Sequence, residues 1–350
     1  MCNIAAYIGK KQAAPILIEM MKKQEGFWAG YYTGISVHDG TSIHTMKVVG
    51  DMQNFLTETN GSSLSGTIGF IHSRSNSGGD VEWGHPFTSS DGNLSYIANG
   101  ADGVFATEEM KEKRKKIIQL LEDNGYTFRS KSSTGSFVYP TLSDGSSIHV
   151  SDLMCQYIAY CVDRGMSPDE AMSHVFSELP AEVVGLCMLK NHPDSIFVSR
   201  INCPMMIGIT DDGDTYLATT AMAFPEDVTF RTLELLPPAT TFRVFTGGYH
   251  ASAYPIKLYN IAPITPDIWH KAYSKIEQFL TDDKKTPAHV RDVVAACADL
   301  WPEGFVHQGA PLVYEILRSF HKEKRLKITL VEKDNTVPGY HTNEFHLSMI

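Results

Sequence analysis

The sequence has few cysteines, no cysteine or histidine cluster and no long apolar run, and each absence excludes a class of protein. The six cysteines, at positions 2, 155, 161, 187, 203 and 297, show no CxxC spacing, so we expect neither a zinc site nor a disulfide framework. No stretch approaches the ~18 consecutive apolar residues of a transmembrane helix, and the amino terminus does not resemble a signal peptide. We therefore expect a cytoplasmic protein with no membrane partner, no metal and no other cofactor.

Positive charge is also scarce. The 350 residues include 30 basic and 40 acidic side chains, which give a formal net charge of −10. Nucleic acids and anionic membranes bind basic surfaces, so the sequence predicts no nucleic-acid partner. With 43% hydrophobic and 20% charged residues, the composition is typical of a globular protein with one large domain or two smaller ones.

The order of predicted elements indicates an α+β fold. Short apolar strands occupy the first hundred residues, a block of helices follows, and strand-like segments return from Val183. Asp39-Gly40 predicts a hairpin turn, and Thr107 to Asn124 reads as a long helix with acidic residues in its first turn. Residues 130–151 are rich in Ser, Gly and Thr, so we expect a long loop or insertion that carries a short hairpin.

The sequence changes character after residue 262. Two Thr-Pro pairs mark helix starts, a third helix follows, and "LKITLVE" and "EFHLSMI" have the pattern of a terminal hairpin. We predict two domains, residues 1–262 and residues 263–350, of which the second is small, helical and winged-helix-like. Protein–protein contact or dimerisation is its expected role, because its basic cluster is too thin to favour DNA binding.

Cys2 is the unusual cysteine of this sequence. If Met1 is removed, Cys2 carries a free α-amine beside its thiol. A thiol with a pKa of ~8.5 is mostly protonated at neutral pH, and an amine with a pKa of ~7.7–8.0 can accept its proton. The alternative is a small apolar side chain without a role. That second interpretation suits Cys155, Cys161 and Cys187, which lie in apolar runs.

Three further segments contain polar residues that amide cleavage would use. In "FIHSRSNSGG", Arg74 follows an apolar strand and is suited to a bidentate pair with a carboxylate, although a salt bridge at the sheet end is an alternative. His85 in "EWGHPF" is either structural or part of a site. In "IANGADG", Asn99 and Gly100 either form a turn or present two hydrogen-bond donors to an oxyanion.

Taken together and in this order, these segments resemble the class II glutamine amidotransferases, which are N-terminal-nucleophile (Ntn) hydrolases. The glutaminase domain of glucosamine-6-phosphate synthase is the most similar in motif order. "MCNI" is similar to the family's Met-Cys-Gly-Ile, "GFIHSRSNSGG" to its Gly-Ile-x-His-Thr-Arg-Trp-Ala-Thr-His-Gly, and "YIANGADG" to its His-Asn-Gly-Ile. The resemblance covers about the first 260 residues.

The resemblance implies a fold and a reaction. The fold is a four-layer αββα sandwich. Cys2 would be the nucleophile and its α-amine the base, with Asn99 and Gly100 forming the oxyanion hole. The reaction would convert glutamine to glutamate and ammonia through a thioester, and the ammonia would be released or passed to a synthase partner. The sugar-isomerase domains of the synthase are not expected, because only about ninety residues follow.

The resemblance also implies a substrate site with one substitution. Arg74 would hold the substrate α-carboxylate, Ser77 would occupy the place of a substrate-binding threonine, and His85 would occupy the family's His-Pro. The aspartate that binds the substrate α-amine is replaced, in our alignment, by Val150. Asp152 is the nearest carboxylate and is our candidate for that role.

Two departures near the nucleophile leave alternatives open. Asn3 replaces the family glycine, and Ser75 replaces a tryptophan that closes over the site. The first alternative is an Ntn hydrolase that acts on another amide, and the second is a binding or regulatory protein on an inactive amidotransferase scaffold. The sequence leaves open the oligomeric state, the ammonia acceptor and the removal of Met1.

Overall fold

The computed structural model describes residues 2–75, 79–101, 107–132, 139–257, 264–301, 306–335 and 337–350. Its largest sheet is antiparallel and has the strand order β11-β9-β10-β1-β4-β2-β3. Those strands are β1 (Asn3–Ile8), β2 (Tyr32–His38), β3 (Ile43–Val49), β4 (Ile68–Arg74), β9 (Met206–Thr210), β10 (Thr215–Ala218) and β11 (Phe230–Leu235). The first strand of the chain is therefore an inner strand of this sheet.

A second antiparallel sheet has the order β13-β12-β8-β7-β6-β5. Its strands are β5 (Phe87–Thr88), β6 (Leu94–Ala101), β7 (Glu182–Leu189), β8 (Ile196–Arg200), β12 (Thr240–Phe245) and β13 (Gly248–Ala251). The two sheets pack face to face, since one buried apolar cluster contains Ile4 and Phe70 from the first sheet together with Ile97 and Leu186 from the second.

Helices cover the outer faces of both sheets. On the seven-stranded sheet lie α1 (Ala13–Lys22) and α3 (Met52–Glu58), through Leu17 and Phe55. On the six-stranded sheet lie α4 (Glu108–Asp123), α5 (Val150–Asp163) and α6 (Pro168–Glu178). The order of helix, sheet, sheet and helix agrees with the αββα arrangement expected from the sequence.

Several local predictions are confirmed. The hairpin of β2 and β3 turns at Asp39, whose carboxylate accepts the N–H groups of Thr41 and Ser42 at 2.8 Å each. Helix α4 begins after its N-cap Thr107, whose hydroxyl accepts the N–H of Met110 at 3.3 Å. In the predicted insertion, the described residues form only isolated bridges from residue 147 to residues 132 and 141, and residues 133–138 lie outside the described part.

The carboxy-terminal part contains a small sheet and three helices. The sheet has the order β14 (Ala288–His289), β16 (His341–Met349) and β15 (Leu326–Asp334), and the predicted terminal hairpin is the β15–β16 pair. The helices are α7 (Pro266–Thr281), α8 (Val290–Ala296) and α9 (Val306–Lys322). The winged-helix-like order and the domain boundary at residue 262 stay predictions.

This part packs against the amino-terminal part through helix α2 (Glu25–Trp28). Phe27 on α2 meets Phe345 on β16 edge to face, with ring centroids 5.0 Å apart. The hydroxyl of Thr342 donates a hydrogen bond to the carbonyl of Gly30 at 2.6 Å. Among the described residues, none of the helices has the length and apolar character needed to span a membrane.

Candidate active site

Cys2 lies at the start of an inner strand. It directly precedes β1, which runs between β10 and β4. Cys2 is partly exposed and forms no disulfide, whereas the other cysteines, which form none either, are buried: Cys155, Cys161, Cys187, Cys203 and Cys297. Cys2 is therefore the cysteine that a dissolved substrate can reach, and the predicted burial of the three cysteines in apolar runs is confirmed.

Asn99 connects the nucleophile to the second sheet. Its side-chain oxygen Oδ1 accepts a hydrogen bond from the main-chain nitrogen of Cys2 at 2.8 Å. Its nitrogen Nδ2 is buried and has no hydrogen-bond partner within the described part of the chain. Gly100 follows with φ +150°, a conformation that favours glycine. An unused donor beside a nucleophile is what a developing oxyanion needs.

His72 shares a sheet face with the nucleophile. In the antiparallel register of β1 and β4, His72 lies opposite Ile4, and alternate residues of a strand point to one face. His72 is fully buried, and its Nε2 donates a hydrogen bond to the carbonyl of Ala98 at 2.9 Å. That bond places the proton of the neutral ring on Nε2 and leaves a lone pair on Nδ1.

The surroundings of Cys2 lower the pKa of its thiol to about 6. Burial has the largest single effect and raises the pKa, but several opposing effects together exceed it. These are the charge and hydrogen bonding of His72, the positive charge of the amino terminus, and the main-chain N–H of Ser75. The Ser75 N–H donates to Sγ at 3.5 Å, and the Ser75 hydroxyl lies 3.6 Å from Sγ. The residue that replaces the family tryptophan thus contacts the thiol directly.

Arg74 is a buried residue of the site. It ends β4, only 1% of its surface is exposed, and its guanidinium carbon lies 4.9 Å from the ring centroid of Tyr32. The Tyr32 hydroxyl donates to the carbonyl of Gly79 at 2.6 Å, which fixes the ring. A cation over an aromatic face is held in a defined orientation. The arrangement is therefore suited to an incoming carboxylate.

His85 belongs to a buried group of aromatic rings. Its ring stacks on His72 with centroids 3.9 Å apart and meets His149 edge to face at 5.3 Å. Trp83 contacts His149 edge to face at 5.8 Å. Neither ring nitrogen of His85 has a hydrogen-bond partner among the described residues. We name His72, Trp83, His85 and His149 the histidine cluster.

Two histidines of the cluster, His85 and His149, are uncharged at neutral pH. Burial lowers the pKa of His85 well below its ordinary value, and electrostatic interactions with His72, His149 and Arg74 lower it further. Burial likewise lowers the pKa of His149, followed by the charge of Arg74. His149 is also the N-cap of α5, where its Nδ1 accepts the N–H of Ser151 at 3.1 Å.

Asp152 makes its hydrogen bonds within the fold. Its carboxylate accepts from the N–H and hydroxyl of Ser130 at 2.9 and 2.8 Å and from the amide of Gln156 at 3.0 Å. Burial raises its pKa, against the hydrogen bonds of those two residues. This geometry fixes the segment before α5, and the role of Asp152 in binding an amine stays a prediction. Ser77, the other predicted ligand, lies outside the described residues.

Asn3 lies beside the carboxy-terminal part of the chain. It is fully buried, as is Tyr314 of α9. Burial raises the pKa of the Tyr314 hydroxyl, and the neighbouring Asn3 side chain opposes that effect. Asn3, which stands where the family has glycine, is thus accommodated against α9. No group of three or more His, Cys, Asp or Glu side chains suited to a metal occurs in the described part of the chain.

With Cys2 directly before an inner strand and Asn99 on the facing sheet, the site resembles that of a class of protein, the class II glutamine amidotransferases. Comparison with known proteins confirms that resemblance. Glutamine–fructose-6-phosphate aminotransferase of Bacteroides thetaiotaomicron is 29% identical over 234 residues, which are 65% of this chain and 33% of that enzyme. The enzyme of Clostridium tetani is 27% identical over 215 residues, 61% of this chain and 30% of its own length.

The fold of the chain is also found in solved structures. Glutamine phosphoribosylpyrophosphate amidotransferase from B. subtilis, complexed with ADP and GMP, matches with a TM-score of 0.60 and 16% identity over 85% of this chain and 64% of that chain. An allosteric regulatory enzyme of purine biosynthesis matches with a TM-score of 0.57 and 18% identity over 80% of this chain and 57% of that chain. No protein-family profile matches. The chain spans about a third of the length of the curated relatives it matches.

Proposed function

We propose that this chain hydrolyses a side-chain carboxamide of the glutamine type through a thioester on Cys2. The observation that carries the proposal is the pairing of a partly exposed, acidified thiol with Asn99, whose amide donor is buried and unused. A structural cysteine has no need of either feature. The similarity to amidotransferases supports the same reaction.

The proposed reaction has two steps. The Cys2 thiolate attacks the carboxamide carbon, and the Asn99 Nδ2 and the Gly100 N–H bind the oxyanion. The carbon–nitrogen bond then breaks, a proton from the α-amine or from imidazolium of His72 passes to the nitrogen, and ammonia leaves a thioester on Cys2. Water hydrolyses the thioester, which gives a carboxylic acid and restores the thiol. Atoms and charge balance in both steps, and neither step uses a cofactor.

Substrate binding is proposed to involve Arg74 and the adjoining residues. The buried guanidinium would pair with a carboxylate of the substrate, because its fixed donors match a carboxylate in a bidentate arrangement. Ser77 and His85 are proposed to line the same pocket. We further propose that the chain is an Ntn glutaminase. Its ammonia would pass to a synthase partner, and the chain would assemble as a homo-oligomer.

Intact mass measurement of the purified chain tests the proposal. We expect a mass that lacks Met1, and one stoichiometric adduct on Cys2 after treatment with 6-diazo-5-oxonorleucine or iodoacetamide. A matched Cys2→Ala chain should give no adduct and release no ammonia from glutamine or its analogues. Retained Met1 together with an unreactive Cys2 would contradict hydrolysis and would favour the inactive-scaffold alternative.

A further inference from the structure

We propose that Thr342 is a positioning residue of the active site, so that the carboxy-terminal part of the chain is a component of that site and not an appended module. Thr342 lies on β16, more than 240 residues after the last of Cys2, Arg74 and Asn99. It acts through a segment of the amino-terminal part that holds the end of β4. The expected effect on ammonia release rests on the proposed function.

The contact between Thr342 and Gly30 is short and buried. The Thr342 hydroxyl donates to the carbonyl of Gly30 at 2.6 Å, and Thr342 has no exposed surface. Gly30 has φ +98°, and a Cβ placed on it would lie 2.8 Å from Cγ2 of Thr342. Loss of the hydroxyl would leave a buried carbonyl without its partner, which is costly. The hydrogen bond therefore fixes Gly30 relative to β16.

The segment that contains Gly30 is bonded to the end of β4. The N–H of Gly30 donates to the hydroxyl of Ser73 at 2.9 Å, and Ser73 is fully buried. The N–H of the next residue, Tyr31, donates to the carbonyl of Arg74 at 3.0 Å. A single residue, Gly30, thus connects Thr342 on β16 to Ser73 on β4.

The end of β4 lies against the nucleophile. Ser75 follows Arg74, and its N–H donates to Sγ of Cys2 at 3.5 Å. Ser73 lies opposite Asn3 in the register of β4 and β1, and Asn3 directly follows Cys2. A shift at the end of β4 would therefore move Arg74 and Ser75 relative to Cys2. A displacement of about 1 Å at an active site can cost about 100-fold in rate.

Packing holds β16 in place beside Gly30. Phe27 of α2 meets Phe345 of β16 at 5.0 Å and Tyr314 of α9 at 5.7 Å, both edge to face. Phe27 is fully buried in the apolar cluster that α7, α8 and α9 also form. This contact and the hydrogen bond of Thr342 lie on the same strand, so β16 is anchored at two points to the segment that leads to β4.

Three full-length variants test the proposal. Thr342→Val keeps the shape of the side chain and removes the hydroxyl, whereas Thr342→Ser keeps the hydroxyl. Tyr340→Phe is the matched control. The Tyr340 hydroxyl also reaches from the carboxy-terminal part to the amino-terminal part, where it donates to Glu58 at 3.4 Å. That contact is exposed and leads to the last residue of α3 instead of to β4.

Ammonia release from glutamine is the first readout. The kcat/KM should fall by roughly tenfold in Thr342→Val, return to within about threefold of wild type in Thr342→Ser, and stay within about twofold of wild type in Tyr340→Phe. Unchanged turnover in Thr342→Val would overturn the inference. An equal loss in Thr342→Ser or in Tyr340→Phe would also overturn it, because the effect would then not come from this hydroxyl.

The pH dependence of Cys2 alkylation by iodoacetamide is a second readout, which a merely structural role would not move. The Ser75 N–H helps to lower the thiol pKa, so we expect the midpoint of alkylation to rise in Thr342→Val. A rise of about half a pH unit would roughly halve the thiolate fraction at pH 6. Urea titration identifies conditions in which each variant is folded.

The two readouts separate the inference from the proposed function. A lower urea midpoint for Thr342→Val together with an unmoved alkylation midpoint would overturn the inference. A wild-type chain that is alkylated at Cys2 but releases no ammonia would contradict the proposed function alone. The alkylation midpoints of Thr342→Val and Thr342→Ser would then decide the inference by themselves.

Discussion

Replacing His72 with glutamine should raise the pKa of the Cys2 thiol from about 6 to above its ordinary value. Burial raises this pKa, and the charge and hydrogen bonding of His72 come first among the effects that lower it. Glutamine keeps an amide donor for the carbonyl of Ala98 but removes the imidazole. In the variant, fewer effects therefore oppose the rise that burial causes in the thiol pKa, and the hydrogen bond to the carbonyl of Ala98 is kept.

The effect of this substitution on the rate of Cys2 alkylation depends on pH and changes sign. A thiol with a pKa of about 6 is half ionised at pH 6, whereas one at ~8.5 is ionised to about 0.3%. The thiolate of lower pKa is less nucleophilic, by roughly tenfold over this interval. The wild-type chain should thus react about tenfold faster at pH 6 and about tenfold more slowly at pH 9. The two pH profiles should cross between those values.

The assay is the second-order rate of iodoacetamide alkylation between pH 5 and pH 10, followed as the Cys2 adduct by intact mass. Both chains are compared in the same state of Met1 processing, and Cys2→Ala corrects for other sites. Parallel profiles with the same midpoint would refute the role assigned to His72. A wild-type midpoint at or above ~8.5 would refute acidification of the thiol altogether.

Three further predictions concern single contacts. Asn99→Asp keeps the oxygen that accepts a hydrogen bond from the Cys2 nitrogen but removes the amide donor. The kcat for amide hydrolysis should therefore fall by about 10²–10³. Ammonia release measures the change, with Asn99→Gln as comparison. Arg74→Lys keeps the charge and loses the planar fork, so KM should rise by about tenfold with a smaller change in kcat; an unchanged KM would contradict the carboxylate contact. Tyr314→Ala should reduce the free energy of unfolding by about 3–5 kcal/mol, since the ring is buried against Phe27, whereas Tyr314→Phe should cost far less in the same urea titration.

Local sequence patterns predicted most elements of the fold. The hairpin at Asp39 and the start of α4 at Thr107 depend on turn and cap chemistry that acts within four residues. The α+β class followed from the order of the elements, and the packing of two sheets with helices outside followed from the family resemblance.

The site was only partly predictable for a physical reason. Cys2, Arg74 and Asn99 follow from short segments of the sequence, and their roles stay predictions. His72 was missed, although it lies two residues before Arg74 and therefore on the same face of β4. His149 gave no signal, because it follows Asn99 and Gly100 by about fifty residues and lies at the end of a segment without periodicity. Asp152 was chosen by its proximity in sequence, which does not determine the direction of a side chain.

The departures from the family pattern have different physical meanings. Asn3 and Ser75 add or remove bulk beside the nucleophile, and the fold accommodates both: Asn3 meets Tyr314, and Ser75 contacts the Cys2 sulfur through its N–H and hydroxyl. Neither change removes a group that the proposed chemistry needs. The loss of a carboxylate at Val150 is of another kind, since the family resemblance implies that this position binds the substrate α-amine. Because Cys2, Arg74 and Asn99 are kept, ammonia release from glutamine is the measurement that separates an active amidotransferase from the inactive-scaffold alternative.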